Sequence, residues 1–279
     1  MDQYAVFGNP VAHSKSPLIH RLFAEQTGEP IEYSTQLVEP EAFASTARAF
    51  FASGGKGVNI TLPFKQDAWR FADYRSPHAE RAGAVNTLAV QADGRLYGAN
   101  TDGTGLLKDI SNNLGWQVES KRLLLIGAGG AGRGVLQPLL QAGPRSLTIV
   151  NRTANKATEL AREFGDFGPI NASSFNALQG EQFDLLINAT AASLQGELPP
   201  LPDDILSHES RAYDMLYATT LTPFNAWAKQ NGARQVADGL GMLVEQAAES
   251  FFIWRAVRPD TTQLIKTVRV ALEQDVTAS

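Results

Sequence analysis

The chain has 279 residues, 43% of them hydrophobic and 19% charged, with a formal net charge of −5. That balance excludes a disordered chain, and the absence of any basic run argues against nucleic acid as a partner. The sequence holds no cysteine, which excludes disulfides, thiolate catalysis and cysteine-based zinc sites.

The N-terminal stretch from Met1 to Pro10 lacks the basic region and long apolar core of a signal peptide. No later segment approaches the roughly 20 apolar residues of a membrane span, so the expected location is cytoplasmic, with no membrane partner. Tyr4 to Phe7 reads as a buried strand stopped by Gly8-Asn9-Pro10, and Pro17 opens a helix that ends near Gly28. Ile31 to Val38 predicts a second strand, Glu41 to Phe51 a helix, and Gly57 to Thr61 a third strand with a helix starting at Pro63. This β-α-β-α-β order implies parallel strands with helices on their faces. Thr87 to Val90 and Arg95 to Tyr97 flank Ala92-Asp93-Gly94, the turn chemistry of a hairpin. A helix from about Thr104 to Asn113 then leads into a second unit.

That unit opens with a buried strand, Leu123 to Ile126, and a helix running to about Ala142. Leu147 to Val150 predicts the next strand, followed by a helix through Ala157 to Phe164. Further strands are expected at Asp184 to Asn188, Ala212 to Met215 and Gln235 to Ala237, with a helix from Pro223 to Gln230. The tail is helical: Leu240, Leu243, Val244, Ala247, Phe251 and Trp254 recur at helical spacing, and a last helix spans about Thr262 to Gln274. The length favours two domains over one. The four histidines, His13, His20, His78 and His208, show no metal-ligand spacing, so no metal is expected.

The most specific local motif is Gly127-Ala128-Gly129-Gly130-Ala131-Gly132, which follows a strand and opens a helix. In that context Gly127 permits a tight turn, Gly129 the approach of backbone N–H groups to a pyrophosphate, and Gly132 close helix packing. The next strand ends at Val150 before Asn151-Arg152-Thr153. An NAD site usually places an acid there to bind the ribose 2′-hydroxyl. Here Arg152 stands instead, with Thr153 and Lys156 nearby, a donor set suited to the 2′-phosphate of NADP. Thr153 also suits a helix N-cap. Thr190, after Asn188-Ala189, either borders the cofactor or simply ends a strand.

Polar residues also mark the ends of the early strands. Ser14 and Ser16 before Pro17 form either a carboxylate site or a helix cap. Lys65 follows the third strand at a helix start, with its charge set against the helix dipole. Asn86 precedes the hairpin, and Asp102 follows Asn100-Thr101, where it either caps the next helix or serves a site.

Read together, Ser14-Lys15-Ser16-Pro17, Asn59-Ile60-Thr61-Leu62-Pro63-Phe64-Lys65, Gly83-Ala84-Val85-Asn86-Thr87 and Asn100-Thr101-Asp102-Gly103 resemble the motif series of the shikimate dehydrogenases. The glycine motif, Asn151-Arg152-Thr153, Asn188-Ala189-Thr190, Asp214-Met215-x-Tyr217 and Glu245-Gln246-Ala247 continue the likeness, which covers about Ala5 to Phe251.

The resemblance implies an α/β chain of two domains. Residues 1–102 with 239–279 would form a mainly parallel substrate domain, and 103–238 a Rossmann-like NADP-binding domain. It implies that Ser14 and Ser16 hold the substrate carboxylate with Tyr217, that Thr61, Asn86, Asp102 and Gln246 bind ring oxygens, and that Lys65 and Asp102 are the catalytic pair. Met215 and Gly239 would line the nicotinamide end. The activity implied is reversible NADPH-dependent reduction of 3-dehydroshikimate to shikimate; the alternatives are a relaxed quinate/shikimate enzyme and a non-catalytic NADP(H)-binding sensor. The partner expected is a small molecule, bound by a monomer or homodimer. Two positions depart from the family pattern: Ala191-Ala192-Ser193 stand where Ser-Ser-Gly is common after Thr190, and Thr219 where Pro is common after Tyr217. Both bear on loop rigidity and cofactor contacts, and neither touches Lys65 or Asp102.

Overall fold

The computed structural model describes residues 1–277, and of residues 194 and 275–277 the backbone alone. Residues 278 and 279, the end of the expected 239–279 segment, lie outside the described residues. The chain divides into two compact units, one of Met1–Gly105 with Val244–Gln274, the other spanning Leu106–Leu243.

The first unit contains β1 (Asp2–Gly8), α1 (Ser16–Thr27), β2 (Ile31–Leu37), α2 (Phe43–Ala52), β3 (Gly57–Ile60), α3 (Lys65–Phe71), β4 (Tyr74–Arg75), α4 (Pro77–Ala82), β5 (Thr87–Val90) and β6 (Leu96–Ala99). Its six-stranded sheet has the order β2-β1-β3-β5-β6-β4. β1 pairs in parallel with β2 and β3, whereas β5 is antiparallel to both β3 and β6. The hairpin turns at Ala92-Asp93-Gly94, where Gly94 supplies a φ of 83°. Helix α3 starts at Lys65 and not at Pro63, because Thr61 to Phe64 close a turn through Phe64 N–H to Thr61 O, 3.1 Å. β4 and α4 were not foreseen; α4 is capped by Ser76, whose hydroxyl accepts from Ala79 N, and stopped by left-handed Gly83.

Period-two alternation along β1 sorts its side chains onto two faces. Ala5 and Phe7 join Val58, Ile60, Phe43, Phe64 and Ala68 in one buried cluster. On the other face Tyr4 stacks near Trp254, with His20, Phe23 and Phe251 completing an aromatic layer. Each fully buried Phe or Leu here contributes about 1.5–3 kcal/mol.

Helix α5 (Asp102–Lys108) carries the chain out of the first unit, and its last turn widens into a π-helix over Asp109–Asn113. The second unit then runs β7 (Arg122–Ile126), α6 (Gly130–Gln141), β8 (Ser146–Val150), α7 (Ala154–Glu163), β9 (Ile170–Ser173), β10 (Phe183–Asn188), β11 (Leu206–Asp214), α8 (Pro223–Gln230) and β12 (Gln235–Asp238). All its strand pairs are parallel, in the order β12-β11-β10-β7-β8-β9. Leu123, Leu125, Ile149 and Ile187 face a core built with α6 and α7, while Leu124, Ile126, Leu186 and Ala212 face α8. Helices therefore cover both faces, as a continuous apolar strand such as Leu123-Leu124-Leu125-Ile126 requires. α9 (Leu240–Arg255) returns the chain to the first unit, and α10 (Thr262–Thr277) follows.

The expected α/β class and the parallel second sheet are both present. No helix among the described residues is long and apolar enough to cross a membrane.

Candidate active site

Topology gathers the polar strand ends of the first unit. β3 and β6 are both antiparallel to β5, so they run in the same direction, and β1 runs with β3. The carboxyl ends of β1, β3 and β6 therefore share one edge with the start of β5. Ser14 and Ser16 follow β1, Thr61 and Lys65 follow β3, Asn86 precedes β5, and Asp102 follows β6.

On that edge Lys65 Nζ donates to Asp102 Oδ2 at 2.6 Å. Asp102 Oδ1 accepts from Asn86 Nδ2 at 2.9 Å, so both carboxylate oxygens are held. Asn86 is itself fixed: its Oδ1 accepts from Thr101 N–H at 3.0 Å and from the Thr87 hydroxyl at 2.9 Å. Gln246, on α9, lies 3.3 Å from Asn86 Nδ2 through its Oε1, and its backbone oxygen accepts from Thr101 Oγ1 at 3.0 Å. The Asp102 side chain is 10% exposed and that of Lys65 28%, which leaves the amine as the more accessible member of the pair. Gly105 packs against Gln246 so closely that an added Cβ would need the backbone to move.

Ser14 and Ser16 form a small turn in which Ser16 N–H donates to Ser14 Oγ at 3.3 Å. The N-cap position of α1 is Lys15, without a side-chain cap bond, so neither serine caps the helix in the expected way. Thr61 N–H donates to Phe7 O at 2.9 Å, which places it beside the end of β1.

Below these residues lies a layer to which the sequence assigned no role. Asn59 is buried in β3; its Oδ1 accepts from Tyr33 Oη at 2.8 Å and stands 3.1 Å from His20 Nε2. Its Nδ2 reaches Ser250 Oγ at 3.0 Å and Thr87 Oγ1 at 3.3 Å. The signal available in the sequence is a polar residue at the centre of an otherwise apolar buried strand, Val58-Asn59-Ile60. His20 is fully buried, and desolvation lowers its pKa to about 3 against the smaller opposing effect of the Asn59 bond.

The second unit holds the glycine-rich turn. Gly127 adopts φ 110°, and a Cβ there would press on Thr190 and Ala189. A Cβ at Gly132 would run into the Gly127 carbonyl, so the helix can pack on the turn only with glycine at that place. At Gly129 and Gly130 nothing lies within 4 Å of an added Cβ, and the turn is open. Ala128 N–H is held by Asn151 Oδ1 at 3.1 Å. Ala131 is exposed in the first turn of α6. Arg152 and Lys156 are exposed, and neither side chain makes a hydrogen bond or ion pair among the described residues. Thr153 takes the N-cap position of α7 without a side-chain cap bond. An open turn beside two uncommitted cations, with no acid at the end of β8, fits a phosphate-rich dinucleotide.

Thr190 Oγ1 donates to Asn188 Oδ1 at 2.7 Å, while Asn188 Nδ2 donates to buried Asp214 Oδ1 at 3.1 Å. Ser193 Oγ donates to Asp214 Oδ2 at 2.8 Å, tying down the loop in which the family pattern is broken. Burial raises the Asp214 pKa, opposed by its hydroxyl, amide and backbone donors. Met215 N–H donates to Asn188 O at 2.9 Å, and Gly239 packs on the Met215 carbonyl where a Cβ has no room. Tyr217 follows β11 in this unit, its pKa raised by burial and, less, by Asp238.

Profiles of three protein families match the chain. Residues 6–88 match the shikimate dehydrogenase substrate binding domain, 108–195 the shikimate / quinate 5-dehydrogenase, and 239–269 the shikimate 5′-dehydrogenase C-terminal domain. The shikimate dehydrogenase (NADP(+)) of Cellvibrio japonicus is 55% identical over 98% of this chain and 99% of its own. That of Alkalilimnicola ehrlichii is 56% identical over 96% and 98%. Among solved structures, an Ael1 enzyme from Pseudomonas putida superposes with a TM-score of 0.91 at 47% identity, covering 96% of this chain and 98% of that one. Shikimate 5-dehydrogenase from Thermus thermophilus, in complex with NADP(H) and shikimate, gives 0.87 at 36% identity, covering 98% and 100%.

Proposed function

The chain belongs to the shikimate dehydrogenase family, and we propose that it reversibly reduces 3-dehydroshikimate to shikimate with NADPH, toward chorismate and the aromatic amino acids, using Lys65 and Asp102 at the reacting carbonyl. The observation that carries the residue assignment is the 2.6 Å Lys65–Asp102 pair inside a network already shared by Asn86, Thr101 and Gln246.

NADPH, when bound, supplies the hydride. As the carbonyl oxygen gains negative charge, the Lys65 ammonium stabilises it and delivers a proton from Nζ. In the oxidation direction neutral Lys65 removes the alcohol proton. Asp102 Oδ2 aims the amine, and Asn86 keeps the carboxylate from turning away. Ser14 and Ser16 hold the substrate carboxylate, and Thr61, Asn86, Asp102 and Gln246 take the ring oxygens. In the second unit, the turn from Gly127 to Gly132 receives the pyrophosphate, Asn151 braces that turn, and Arg152, Thr153 and Lys156 meet the 2′-phosphate. Thr190, Met215 and Gly239 border the nicotinamide end. The two compact units support assigning residues 1–102 and 239–279 to substrate and 103–238 to cofactor.

The matched profile named for both shikimate and quinate favours a second reading, in which both are substrates. Steady-state rates with shikimate and quinate against NADP⁺ and NAD⁺ separate the two. Fastest turnover with shikimate and NADP⁺ supports the proposal; equal rates with quinate support the relaxed enzyme. No turnover in any combination would leave only a non-catalytic NADP(H)-binding sensor.

A further inference from the structure

The layer beneath the pair has a direction. The Tyr33 hydroxyl donates to Asn59 Oδ1 at 2.8 Å, and Asn59 Nδ2 donates to Thr87 Oγ1 at 3.3 Å. Thr87 Oγ1 donates to Asn86 Oδ1 at 2.9 Å, and Asn86 Nδ2 donates to Asp102 Oδ1 at 2.9 Å. Ser250 braces the middle, 3.0 Å from Asn59 Nδ2 and 2.7 Å from Thr87 Oγ1. Each donor after Tyr33 is also an acceptor from the residue before it, an arrangement in which successive bonds polarise one another.

We propose that Tyr33, Asn59 and Thr87 are positioning residues, a one-way chain of hydrogen bonds that fixes the orientation of Asn86 and, through it, of the Asp102 carboxylate. The inference rests on the reading of Asp102 as half of the catalytic pair. Asp102 Oδ2 aims the Lys65 amine, and a proton donor must meet the reacting carbonyl in a fixed geometry, so the carboxylate that aims it needs a fixed orientation too. Asn59 sits inside that chain, between Tyr33 and Thr87. Its oxygen takes two donors and its amide reaches two hydroxyls, so its plane cannot rotate without breaking bonds on both sides. The ring of Tyr33 is held separately, stacked on His20 with centroids 4.2 Å apart at 9°. Losing its hydroxyl therefore leaves the ring in place.

Thr87 gives the sharpest test, because it is fully buried and its hydroxyl is the link to Asn86. Thr87→Val keeps the shape and removes the oxygen, while Thr87→Ser keeps the oxygen and removes a methyl group. The expected result is a kcat for shikimate oxidation about tenfold lower in Thr87→Val, with KM for NADP⁺ unchanged, and activity within about twofold of wild type in Thr87→Ser. A packing role alone gives the opposite order, with Ser the worse variant, and overturns the proposal. Should Thr87→Val fail to fold, Tyr33→Phe tests the same chain from its partly exposed end; about a threefold loss in kcat/KM for shikimate with KM for NADP⁺ unchanged is expected. Wild-type kinetics in Tyr33→Phe would overturn the chain as a positioning device. Lys65→Ala is run alongside: if it is inactive while the Thr87 and Tyr33 variants match wild type, only this inference falls. If Lys65→Ala is itself fully active, the reading of the site falls first.

Discussion

The two polar regions of this protein are built in opposite ways. Around Lys65 and Asp102, Asn59, Asn86, Thr87 and Thr101 are all buried, and each makes side-chain hydrogen bonds to its neighbours. Around the glycine-rich turn, Gly129 and Gly130 face open space, and Arg152 and Lys156 stand exposed with uncommitted side chains. The difference follows from when charge appears. A carbonyl oxygen becomes charged only during reaction, so the groups that stabilise it must be fixed beforehand. A phosphate is charged from the start and can recruit long, exposed cations on binding.

The largest effect expected from that contrast is at the fixed region. Lys65→Ala should keep the fold, read by its thermal transition, and lose about 10²–10⁴ in kcat; unchanged turnover would mean that the rigid region is scaffold alone. At the open region, Arg152→Ala should raise KM for NADPH roughly 10- to 100-fold and leave KM for NADH nearly as it was. An equal rise for both cofactors would remove Arg152 from 2′-phosphate recognition.

Within the turn itself the contrast can be sharpened. Gly132→Ala places a methyl group against the Gly127 carbonyl and should destabilise by about 1–3 kcal/mol in urea unfolding. Gly129→Ala meets no protein atom and should change stability by less than about 0.5 kcal/mol, while weakening NADPH binding severalfold. If the two variants are equally stable, the close-packed and open parts of the turn have been misassigned.

A last expected effect, read in stability and not in activity, concerns the buried layer. His20 holds a folded pKa of about 3 because of desolvation. Below about pH 6.5 the unfolded chain binds a proton that the folded chain does not, so stability falls as pH falls toward 3. The slope from this group is about 1.4 kcal/mol per pH unit. His20→Gln should flatten the pH dependence of urea stability by up to that amount across this window, and an unchanged slope would show that His20 does not titrate between the two states.

Much of this was legible in the sequence where local chemistry decides the outcome. The apolar run Leu123 to Ile126 before Gly127 gives strand, turn and helix in order, because only a buried parallel strand and a phosphate-type turn use that pattern. Elements set by tertiary contact were not legible. β4 has two residues and exists through its pairing with β6, and β9 is a short, partly exposed edge strand without an apolar run. The polar stretch Ser207-His208-Glu209 hid the first half of β11. At the candidate site, spacing could mark Lys65, Asn86 and Asp102 as residues at strand ends. It could not show that Asn86 meets Gln246, 160 positions away, or that Asn59 joins Tyr33 to Ser250. Those bonds depend on β3, β5 and α9 packing together, which no local pattern encodes.

The central claim is that Lys65 and Asp102 act as one unit on the reacting carbonyl. A double-mutant cycle on kcat for shikimate oxidation, with Lys65→Met, Asp102→Asn and the double variant, tests it most directly. The account predicts that the double variant is about as slow as the slower single variant. Losses that multiply would show two independent groups, and near wild-type rates in either single variant would contradict the claim outright.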